Sequence, residues 1–493
     1  MPTVNEIINI GFTSHQEGKL DEAETAYNEA LKLDSENADL CNLMGVLKLQ
    51  QGDVEEGIEW IEKAVNLKPC EYYYETLFQA YIRGGKYREL AGYADSVVKV
   101  LPKSFPLLFN LALAFKNLKQ NRKAIEFYDR ALKVNPASYD AWFNIAHLYK
   151  IEGENKNAVS ALKICKKLKP NDKETDYFLS IALMSTKNYD KGLKLFETRL
   201  CREAAVAMEN KTYPNLCARE KLWKGENIKD KTIFVYYEAG FGDVIMFARY
   251  LPLLKKRCKK LIFYPQKPLV PLFAQCNLGI DEIIEGFIPE KDLEFDVHAP
   301  LLSLPYLLGL KGKAVFEASD GYLSANEELK EDYRKKFFDN DKIKIGIKWQ
   351  GNTTYDKDRV ISTESFFPLI EIEGTKFYSF QTFEGSEEVK KLTDRYDITD
   401  IGKDLIDFRQ TAAALSNLDL VICNDTSLAH LAGALGIPCF VMLPYEVNWR
   451  WHSDLSKCDW YNSIKLFRQK TAGDWESVVQ EIITYLNHAP SLQ

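Results

Sequence analysis

The chain is 493 residues long, with 46% hydrophobic and 27% charged residues and a formal net charge of −7. This length exceeds what one hydrophobic core usually holds and predicts two or three domains with the composition of an ordinary soluble globular protein. The negative charge argues against a general nucleic-acid binder, because phosphate binding needs a basic excess or a basic stripe. The ten cysteines include no CxxC pair, so neither a zinc site nor a disulfide framework is indicated.

The first residues of the chain and its apolar runs indicate where in the cell the protein is expected. Residues 1–6 have neither a basic region nor an apolar stretch, so they do not predict a secretory signal. The apolar run 301–310 has only ten residues and contains Pro305, which makes it too short for a membrane span. The sequence therefore predicts a cytoplasmic protein with reduced thiols and no membrane span.

Proline recurs at a regular interval in the first part of the chain. Pro69, Pro102, Pro136 and Pro170 are separated by 33, 34 and 34 residues, and Ser35 lies 34 residues before Pro69. Small residues let neighbouring helices approach, bulky ones fill the gap, and proline ends the second helix of a pair. The recurring residues are Ala30, Ala64, Val97, Ala131 and Cys165 (small or apolar), Gly18, Gly52, Gly85 and Gly153 (turns), and Tyr27, Ile61, Tyr128, Leu162 and Phe196 (bulky).

This pattern resembles the tetratricopeptide repeat. The resemblance implies an α-solenoid over residues 1–203, with five repeats over 4–171 and a degenerate sixth to about 203. Lys119 and Lys187 occupy positions where glycine is expected. Such stacks present a concave groove, so we expect a protein or peptide partner. Aromatic residues on the first helices, most of which we expect in the core and a minority in the groove, are Tyr72, Tyr73, Tyr74, Phe109, Trp142 and Phe143.

Charge is unevenly spread along the repeats. Residues 1–100 hold 9 Lys and Arg against 18 Asp and Glu, and residues 101–203 hold 19 against 11. One interpretation is that these are solvated helix faces. The other is that opposite fields at the two ends of one groove steer an acceptor protein.

Beyond a connector at 204–230, short apolar segments alternate with helical patterns. This alternation predicts parallel sheets in two Rossmann-like lobes, at 231–335 and 336–493, that face each other across a cleft. The polar stretch 326–342 separates the two groups. The candidate strands are 232–237, 260–264, 343–348, 376–380, 418–423 and 438–443.

The first chemically informative turn follows the first of these strands. Gly240 and Gly242 enclose Phe241, and Asp243 comes at the start of a predicted helix. The two glycines are donor-site candidates, because flexible glycines allow a substrate close to the backbone. A dinucleotide fingerprint would need a third glycine at 245, where the chain has Ile245, so a nicotinamide site is not favoured. Asp243 is either a helix cap or a general base that projects into the cleft.

The second turn follows the strand 418–423. It opens a helix rich in small residues, whose free N–H groups and dipole favour an anion such as a diphosphate. Asp425, Thr426 and Ser427 are alternatively N-caps, and His430 is alternatively a packing histidine. The donor-site candidates in this turn are Asn424, Asp425, Thr426, Ser427 and His430.

Two cations are candidates to pair with phosphate in the cleft. Lys348 ends its predicted strand, and Arg359 follows in a polar loop. Either could alternatively be an ordinary exposed cation. Arg450 lies in the aromatic and basic cluster 448–452, which follows the strand 438–443 and could either line the cleft or pack the interdomain face.

In this order, the segments 238–243, 348–352 and 424–432 resemble glycosyltransferase family 9, the heptosyltransferases. They are more closely similar to bacterial proteins that join tetratricopeptide repeats to such a domain. The likeness covers roughly residues 220–485 and implies a GT-B fold whose C-terminal lobe binds a nucleotide-sugar. Glu238, Ala239 and the added repeats depart from the family's pattern, which leaves heptose and lipid acceptors open.

The resemblance also implies roles for residues. Asp243 matches the base that deprotonates the acceptor, and Lys348 matches a phosphate-contacting lysine. Asp425, Thr426, Ser427 and His430 match the donor site. Inversion at the anomeric carbon is expected, with no metal and no cofactor beyond the nucleotide-sugar co-substrate.

The leading hypothesis is therefore a hexosyl- or heptosyl-type glycosyltransferase. Its repeats would select a protein acceptor, such as flagellin or another surface protein. One alternative is a non-catalytic scaffold with a degenerate transferase domain. Another is a sugar-nucleotide epimerase of the same two-lobed fold.

Overall fold

The computed structural model describes residues 2–201, 221–286, 293–316, 320–352, 357–452 and 458–488. Most of the predicted connector at 204–230 therefore lies outside the described residues. The chain forms two compact units, Met1–Glu152 with Ser160–Pro170, and Gly153–Val159 with Asn171–Gln493. The predicted domain limits stay predictions.

The first unit is the expected solenoid of helix pairs, so the predicted helical repeats are confirmed. The second helix of the third repeat is split at Tyr93, in the repeat that is one residue short. The helices are Val4–Gln16, Leu20–Leu33, Ala38–Gln51, Val54–Leu67, Glu71–Arg83, Tyr87–Gly92, Ala94–Val100, Phe105–Asn117, Asn121–Val134 and Tyr139–Ile151, and Asn155–Leu168 runs from the second unit into the first.

Small and bulky residues interlock within the pairs. Tyr27 and Ile61 are fully buried, and each lies against a glycine of the preceding helix. A Cβ added at Gly11 would lie 2.7 Å from Tyr27 Cδ1, and one added at Gly45 would lie 2.4 Å from Ile61 Cγ1. These glycines are required for close helix approach, which is the packing that the repeat pattern predicted.

The turns between paired helices need a left-handed residue. Gly18 and Gly52 have φ of 76° and 97°, which glycine adopts without steric cost. Lys119 and Lys187 have φ of 56° and 61° at the equivalent positions. The two lysines therefore keep the turn geometry of the glycines they replace, although a side chain disfavours that conformation.

The aromatic residues on the first helices divide between core and surface. Tyr73 and Tyr74 are buried, whereas Tyr72 is 60% exposed. Phe109 and Phe143 are half-buried on the first helices of the fourth and fifth repeats. These last two residues and Tyr72 leave part of their ring surface open to a partner.

The second unit begins with the sixth helix pair, Lys173–Ser185 and Tyr189–Phe196, and continues into a parallel α/β region. Two all-parallel sheets follow, with strand orders β3-β2-β1-β4 and β10-β9-β8-β5-β6-β7. The first sheet belongs to the first lobe and the second sheet to the second lobe, so the expected two-lobed GT-B architecture is confirmed. The strands are β1 Ile228–Tyr236, β2 Cys258–Tyr264, β3 Glu282–Ile283, β4 Val297–Pro300, β5 Ile343–Lys348, β6 Thr375–Ser379, β7 Ile398–Asp400, β8 Leu420–Asn424, β9 Cys439–Leu443 and β10 Ile464–Arg468.

Helices cover the faces of both sheets, which is why strands such as β8 and β9 are buried along their whole length. In the first lobe the helices are Phe241–Phe247, Leu251–Lys255, Val270–Gln275 and Leu304–Leu307. Glu327–Tyr333 precedes the second sheet, whose helices are Phe367–Ile370, Val389–Thr393, Phe408–Leu415, Ser427–Ala434 and Trp475–His488. None of the helices in the described ranges is long and apolar enough to cross a membrane.

The strand order places the ends of three strands together. β5 pairs with β8 on one side and with β6 on the other, with Lys348 opposite Cys423 and Ile347 opposite Ser379. The chain therefore reverses direction across the sheet at β5, and ligands of such folds bind at the carboxyl ends of strands beside this reversal.

Candidate functional site

A cleft of about 850 Å³ lies between the two lobes, at the carboxyl ends of their strands. Every site residue that the sequence predicted lines this cleft. They are Gly240, Gly242, Asp243, Lys348, Arg359, Asn424, Asp425, Thr426, Ser427, His430 and Arg450.

Asp243 lies in the first turn of the helix Phe241–Phe247, directly after β1. The N-cap of that helix is Gly240, and no side chain caps it. The Asp243 carboxylate instead accepts a hydrogen bond from the Arg450 guanidinium of the second lobe. Both side chains are mostly shielded from solvent, with 20% and 14% of their surface exposed. The ion pair therefore joins the two lobes across the floor of the cleft.

Arg450 is held by neighbours on its own segment. Its Nη1 donates to Asn448 Oδ1 at 2.7 Å, and its guanidinium lies 4.9 Å from the ring centroid of Trp449. These contacts orient the guanidinium toward Asp243. The arginine is thus neither an ordinary exposed cation nor simply a packing residue between the lobes.

Gly242 brings the helix of Asp243 against the helix Ser427–Ala434. A Cβ added at Gly242 would lie 2.7 Å from His430 Cδ2 and 3.4 Å from Ser427 Cα. The first distance is shorter than carbon atoms tolerate. The lobes could not approach this closely with any larger residue at 242.

We expect Gly242→Ala to lower the free energy of unfolding by about 1–3 kcal/mol, because the added methyl overpacks the contact with His430. Gly240→Ala is the matched control, since its Cβ would meet only Asp243 Oδ2, at an ordinary 3.8 Å. Urea unfolding of both variants measures the difference. Equal midpoints for the two alanine variants would contradict the close contact.

The second turn is built by Asn424 and Asp425. Asn424, at the end of β8, donates from Nδ2 to the carbonyls of Trp349 and Arg359, at 3.2 and 2.8 Å. Arg359 Nη1 lies 3.1 Å from Asp425 Oδ2 and also donates to the Asp425 carbonyl at 3.2 Å. Asn424 and Asp425 thereby tie the loop after β5 to the turn after β8.

The helix Ser427–Ala434 starts without a side-chain cap. Thr426 is its N-cap, and no side chain accepts a hydrogen bond from the first N–H groups. Thr426 is thus the N-cap by position, but its side chain does not bond to the helix start, and Asp425 and Ser427 do not cap it either. Thr426, Ser427 and Leu428 line the cleft, where the dipole of the helix start favours a bound anion.

Lys348 lies at the end of β5, at the bottom of the same cleft. It is buried, and its Nζ donates weakly to the Phe380 carbonyl at 3.4 Å and to Thr382 Oγ1 at 3.5 Å. Burial lowers the pKa of the Lys348 amine to about 8, because the charged form loses its water. An anion in the cleft would stabilise the charged amine.

His430 both packs against neighbouring aromatic side chains and lines the cleft, so the two alternatives for this residue are not exclusive. Its Nδ1 lies 3.0 Å from Tyr461 Oη, and its ring stacks on Trp451 with centroids 4.9 Å apart. It is also part of the cleft wall. Burial lowers its pKa to about 4, so the ring is neutral at physiological pH. His430 therefore offers a hydrogen bond to a ligand rather than a positive charge.

Sequence reasoning missed Gln381, which follows β6. Its Oε1 accepts from the backbone N–H groups of Trp349 and Gln350, at 3.2 and 3.1 Å, and its Nε2 donates to the Gln350 carbonyl at 3.0 Å. Gln381 thus shapes the loop after Lys348. The rule that ligands bind at the ends of parallel strands could have drawn attention to it, because the strand 376–380 was predicted.

Two exposed apolar side chains at the rim of the cleft were also missed. Phe383 is 88% exposed and Ile406 is 83% exposed, and both line the cleft. Neither follows a hydrophobic periodicity, and exposure cannot be read from a loop sequence. No cluster of three or more metal-ligating side chains occurs among the residues described.

Comparison with known proteins gives matches in both halves of the chain. Residues 377–442 match the profile of glycosyltransferase family 9 (heptosyltransferase). Residues 13–52, 38–69, 106–138 and 139–172 match tetratricopeptide repeat profiles. The N-terminal matches fall on the helix pairs, and the C-terminal match runs from β6 to β9.

Individual relatives are distant. Protein FlbA of Caulobacter vibrioides is 23% identical over an alignment of 294 residues, gaps included, which covers 54% of this chain and 48% of that protein. The chain thus spans about half the length of this relative. Among solved structures, YrrB, described as a TPR protein with an unusual peptide-binding site, is 18% identical with a TM-score of 0.33, covering 36% of this chain and 93% of its own. PilF of Pseudomonas aeruginosa is 16% identical with a TM-score of 0.33, covering 44% and 95%. TM-scores this low do not establish a shared fold.

Proposed function

Because a glycosyltransferase family 9 domain follows tetratricopeptide repeats in this chain, we propose that the protein transfers a sugar from a nucleotide-sugar to an acceptor. One observation carries the proposal. Asp243 of the first lobe lines the same cleft as Lys348 and the helix start at Thr426, which no side chain caps. A carboxylate that could accept a proton and groups that could bind an anion thus border one space large enough for a small ligand.

The second lobe supplies the proposed donor site. The diphosphate would lie against the N–H groups at the start of the helix Ser427–Ala434, within reach of Lys348 and Arg359. Exposed Phe383 and Ile406 offer apolar surface at the rim for the planar base of the nucleotide. Protein groups would then neutralise the leaving diphosphate without a metal ion.

The first lobe supplies the proposed base. Asp243 would take the proton of the acceptor hydroxyl, while the oxygen of that hydroxyl attacks the anomeric carbon from the side opposite the diphosphate. The bond from the anomeric carbon to the diphosphate oxygen breaks, nucleoside diphosphate leaves, and the configuration inverts. The Arg450 contact orients the carboxylate for this step, and Lys348 and the helix start stabilise the charge that develops on the leaving group.

The repeats supply the proposed acceptor specificity. Helix-pair stacks bind peptides and protein surfaces, and the half-buried rings of Phe109 and Phe143 leave apolar surface available on first helices. We therefore propose a protein acceptor. An enzyme that acts only on small molecules would have little use for this surface.

Thermal unfolding with a panel of UDP, GDP, ADP, CMP and their common sugars tests the donor site. A ligand at 100 times its dissociation constant stabilises the folded state by about 2.7 kcal/mol. We expect one nucleotide to raise the melting temperature, and Lys348→Gln to reduce the effect. Lys229→Gln, an exposed lysine outside the cleft, is the control. A panel with no stabilising ligand would favour the scaffold alternative.

The pKa of Lys348 gives a further expected result. With a pKa of about 8, the amine is charged below that pH and neutral above it. Affinity for a nucleotide-sugar should therefore fall as the pH rises from about 7 to about 9, because the diphosphate binds the charged amine better. Calorimetric titration of wild type and Lys348→Gln checks this. An equal fall in the glutamine variant would assign the pH dependence to another group.

A further inference from the structure

The segment Trp449–His452 lies between the sixth helix pair and the cleft, and its side chains divide between the two. Trp449 packs on Phe196 of the helix pair with ring centroids 6.3 Å apart, and His452 Nε2 lies 2.6 Å from the hydroxyl of Tyr189. The two residues between them contact the cleft: Arg450 pairs with Asp243, and Trp451 stacks on His430. One short segment therefore contacts the last repeat on one side and the proposed catalytic groups on the other.

A second contact joins the 3₁₀ turn Glu197–Cys201, which directly follows the helix pair, to the first lobe. Arg199 donates from Nε and Nη2 to the two carboxylate oxygens of Glu238, at 2.8 and 2.6 Å. Glu238 also accepts from the Leu302 backbone N–H at 3.2 Å. It comes just before Gly240, so the bidentate pair holds the start of the turn that carries Asp243.

Tyr189 reaches both lobes. Its ring makes edge contacts with Phe316 of the first lobe at 4.9 Å and with Trp460 of the second lobe at 6.0 Å. The hydroxyl is buried, and burial together with nearby Asp459 raises its pKa well above the ordinary value, so it stays protonated and can donate to His452. The sixth helix pair thus packs against both lobes that form the cleft.

We propose that the sixth helix pair and the turn after it are needed for sugar transfer. Tyr189 and Arg199 are positioning residues for the Asp243–Arg450 pair. This inference rests on the proposed function. Tyr189 acts through His452 on the segment that carries Arg450, and Arg199 acts through Glu238 on the turn that carries Asp243. Their removal misplaces the base, whereas Lys348 and the helix start at Thr426 lie on other segments of the second lobe.

Tyr189 and Arg199 both lie within the predicted repeat domain, residues 1–203. A deletion of residues 1–203 would remove Tyr189 and Arg199, so it would stop turnover whatever the acceptor. Loss of protein modification after that deletion could not be assigned to acceptor recognition. Point substitutions in the full chain avoid this ambiguity.

A double-mutant cycle in the full-length protein tests the proposal. The variants are Tyr189→Phe, Arg450→Lys and the double variant, assayed for nucleoside diphosphate release with the donor that binds most tightly. We expect Tyr189→Phe to lower kcat by up to about tenfold, the effect of one lost hydrogen bond, with the donor KM unchanged. The double variant should be no slower than Arg450→Lys alone, because both act on one guanidinium.

Tyr250→Phe is the matched control, since it also removes a buried tyrosine hydroxyl, which donates to the Val315 carbonyl at 2.7 Å outside the cleft lining. The proposal is overturned if Tyr189→Phe has the kcat of Tyr250→Phe, or if the losses multiply in the double variant. Arg199→Lys, which keeps the charge but not the bidentate geometry, should also lower kcat with donor KM unchanged.

A second readout does not depend on turnover. We expect amide hydrogen exchange of residues 448–452 to be faster in Tyr189→Phe than in wild type and in Tyr250→Phe. If the wild type releases no nucleotide from any donor, the proposed function has failed. The exchange measurement then tests only whether Tyr189 positions the segment 448–452. Unchanged exchange in Tyr189→Phe would overturn that contact's proposed role.

Discussion

Asp243→Asn should transfer sugar about 10²–10⁴-fold more slowly than the wild type, which is the usual contribution of a general base. Asparagine keeps the size of the side chain and can still accept a hydrogen bond from Arg450, but it cannot take the proton of an acceptor hydroxyl. The donor groups lie on the second lobe, so donor affinity should stay within a small factor of the wild-type value. Initial rates of nucleoside diphosphate release and calorimetric titration of the donor measure the two effects.

The control for this substitution is Asp474→Asn, which makes the same chemical change at a half-buried helix start outside the cleft. Its transfer rate should match that of the wild type. If Asp243→Asn transferred sugar at more than about a tenth of the wild-type rate, another group would be the base. If donor affinity fell as steeply as the rate, the carboxylate would serve to hold the lobes together through Arg450.

Arg199→Met should lower the free energy of unfolding by about 3–5 kcal/mol, because it leaves the Glu238 carboxylate buried without its partner. The two side chains are 8% and 14% exposed, so water can replace little of the lost interaction. Burial already raises the pKa of Glu238, and Arg199 opposes that rise. Without the arginine, the pKa rises further. The destabilisation should therefore be smallest at acid pH, where the carboxyl is protonated, and should grow as the pH rises.

The double variant Arg199→Met with Glu238→Gln is the matched comparison. Removing the Glu238 charge as well avoids its uncompensated carboxylate, so much of the lost stability should return. Glu197, which also pairs with Arg199 at 2.8 Å, keeps its charge in both variants, so the recovery should be incomplete. Urea unfolding at several pH values measures the wild type, the single variant and the double variant. A loss below about 1 kcal/mol for the single variant, which is typical of an exposed ion pair, would contradict the burial of this pair.

The repeats and the longer strands could be predicted from the sequence because their signals are local. Proline spacing marks helix ends within one repeat, and the runs that became β1, β5 and β8 are apolar along most of their length. The strands β3, β4, β7 and β10 were missed; all four lie at the edge of their sheet and have only two to five residues. Long helices and central strands thus leave a trace in the sequence that short edge strands do not.

The sequence could predict which residues line the cleft, but not which of their side chains contact each other. Strand ends and helix starts drew attention to Asp243, Lys348 and the turn at 424–427, because ligands of α/β folds bind there. The pairing of Asp243 with Arg450 joins residues 207 positions apart, and no local pattern records it. Glu238, which departs from the family's pattern, has its explanation in Arg199, 39 residues earlier. These contacts follow from how the lobes and the sixth helix pair pack.

Release of nucleoside diphosphate by the wild-type protein tests the proposed transfer most directly. The nucleotide-sugar that stabilises the protein is incubated with it, with water or an added protein extract as acceptor, and the anomeric configuration of the first product is followed by NMR. We expect nucleoside diphosphate to be released, the product to have the inverted configuration, and both to be lost in Asp243→Asn. A nucleotide-sugar that binds the cleft but releases no nucleotide with either acceptor would contradict the assignment of this site as a glycosyltransferase.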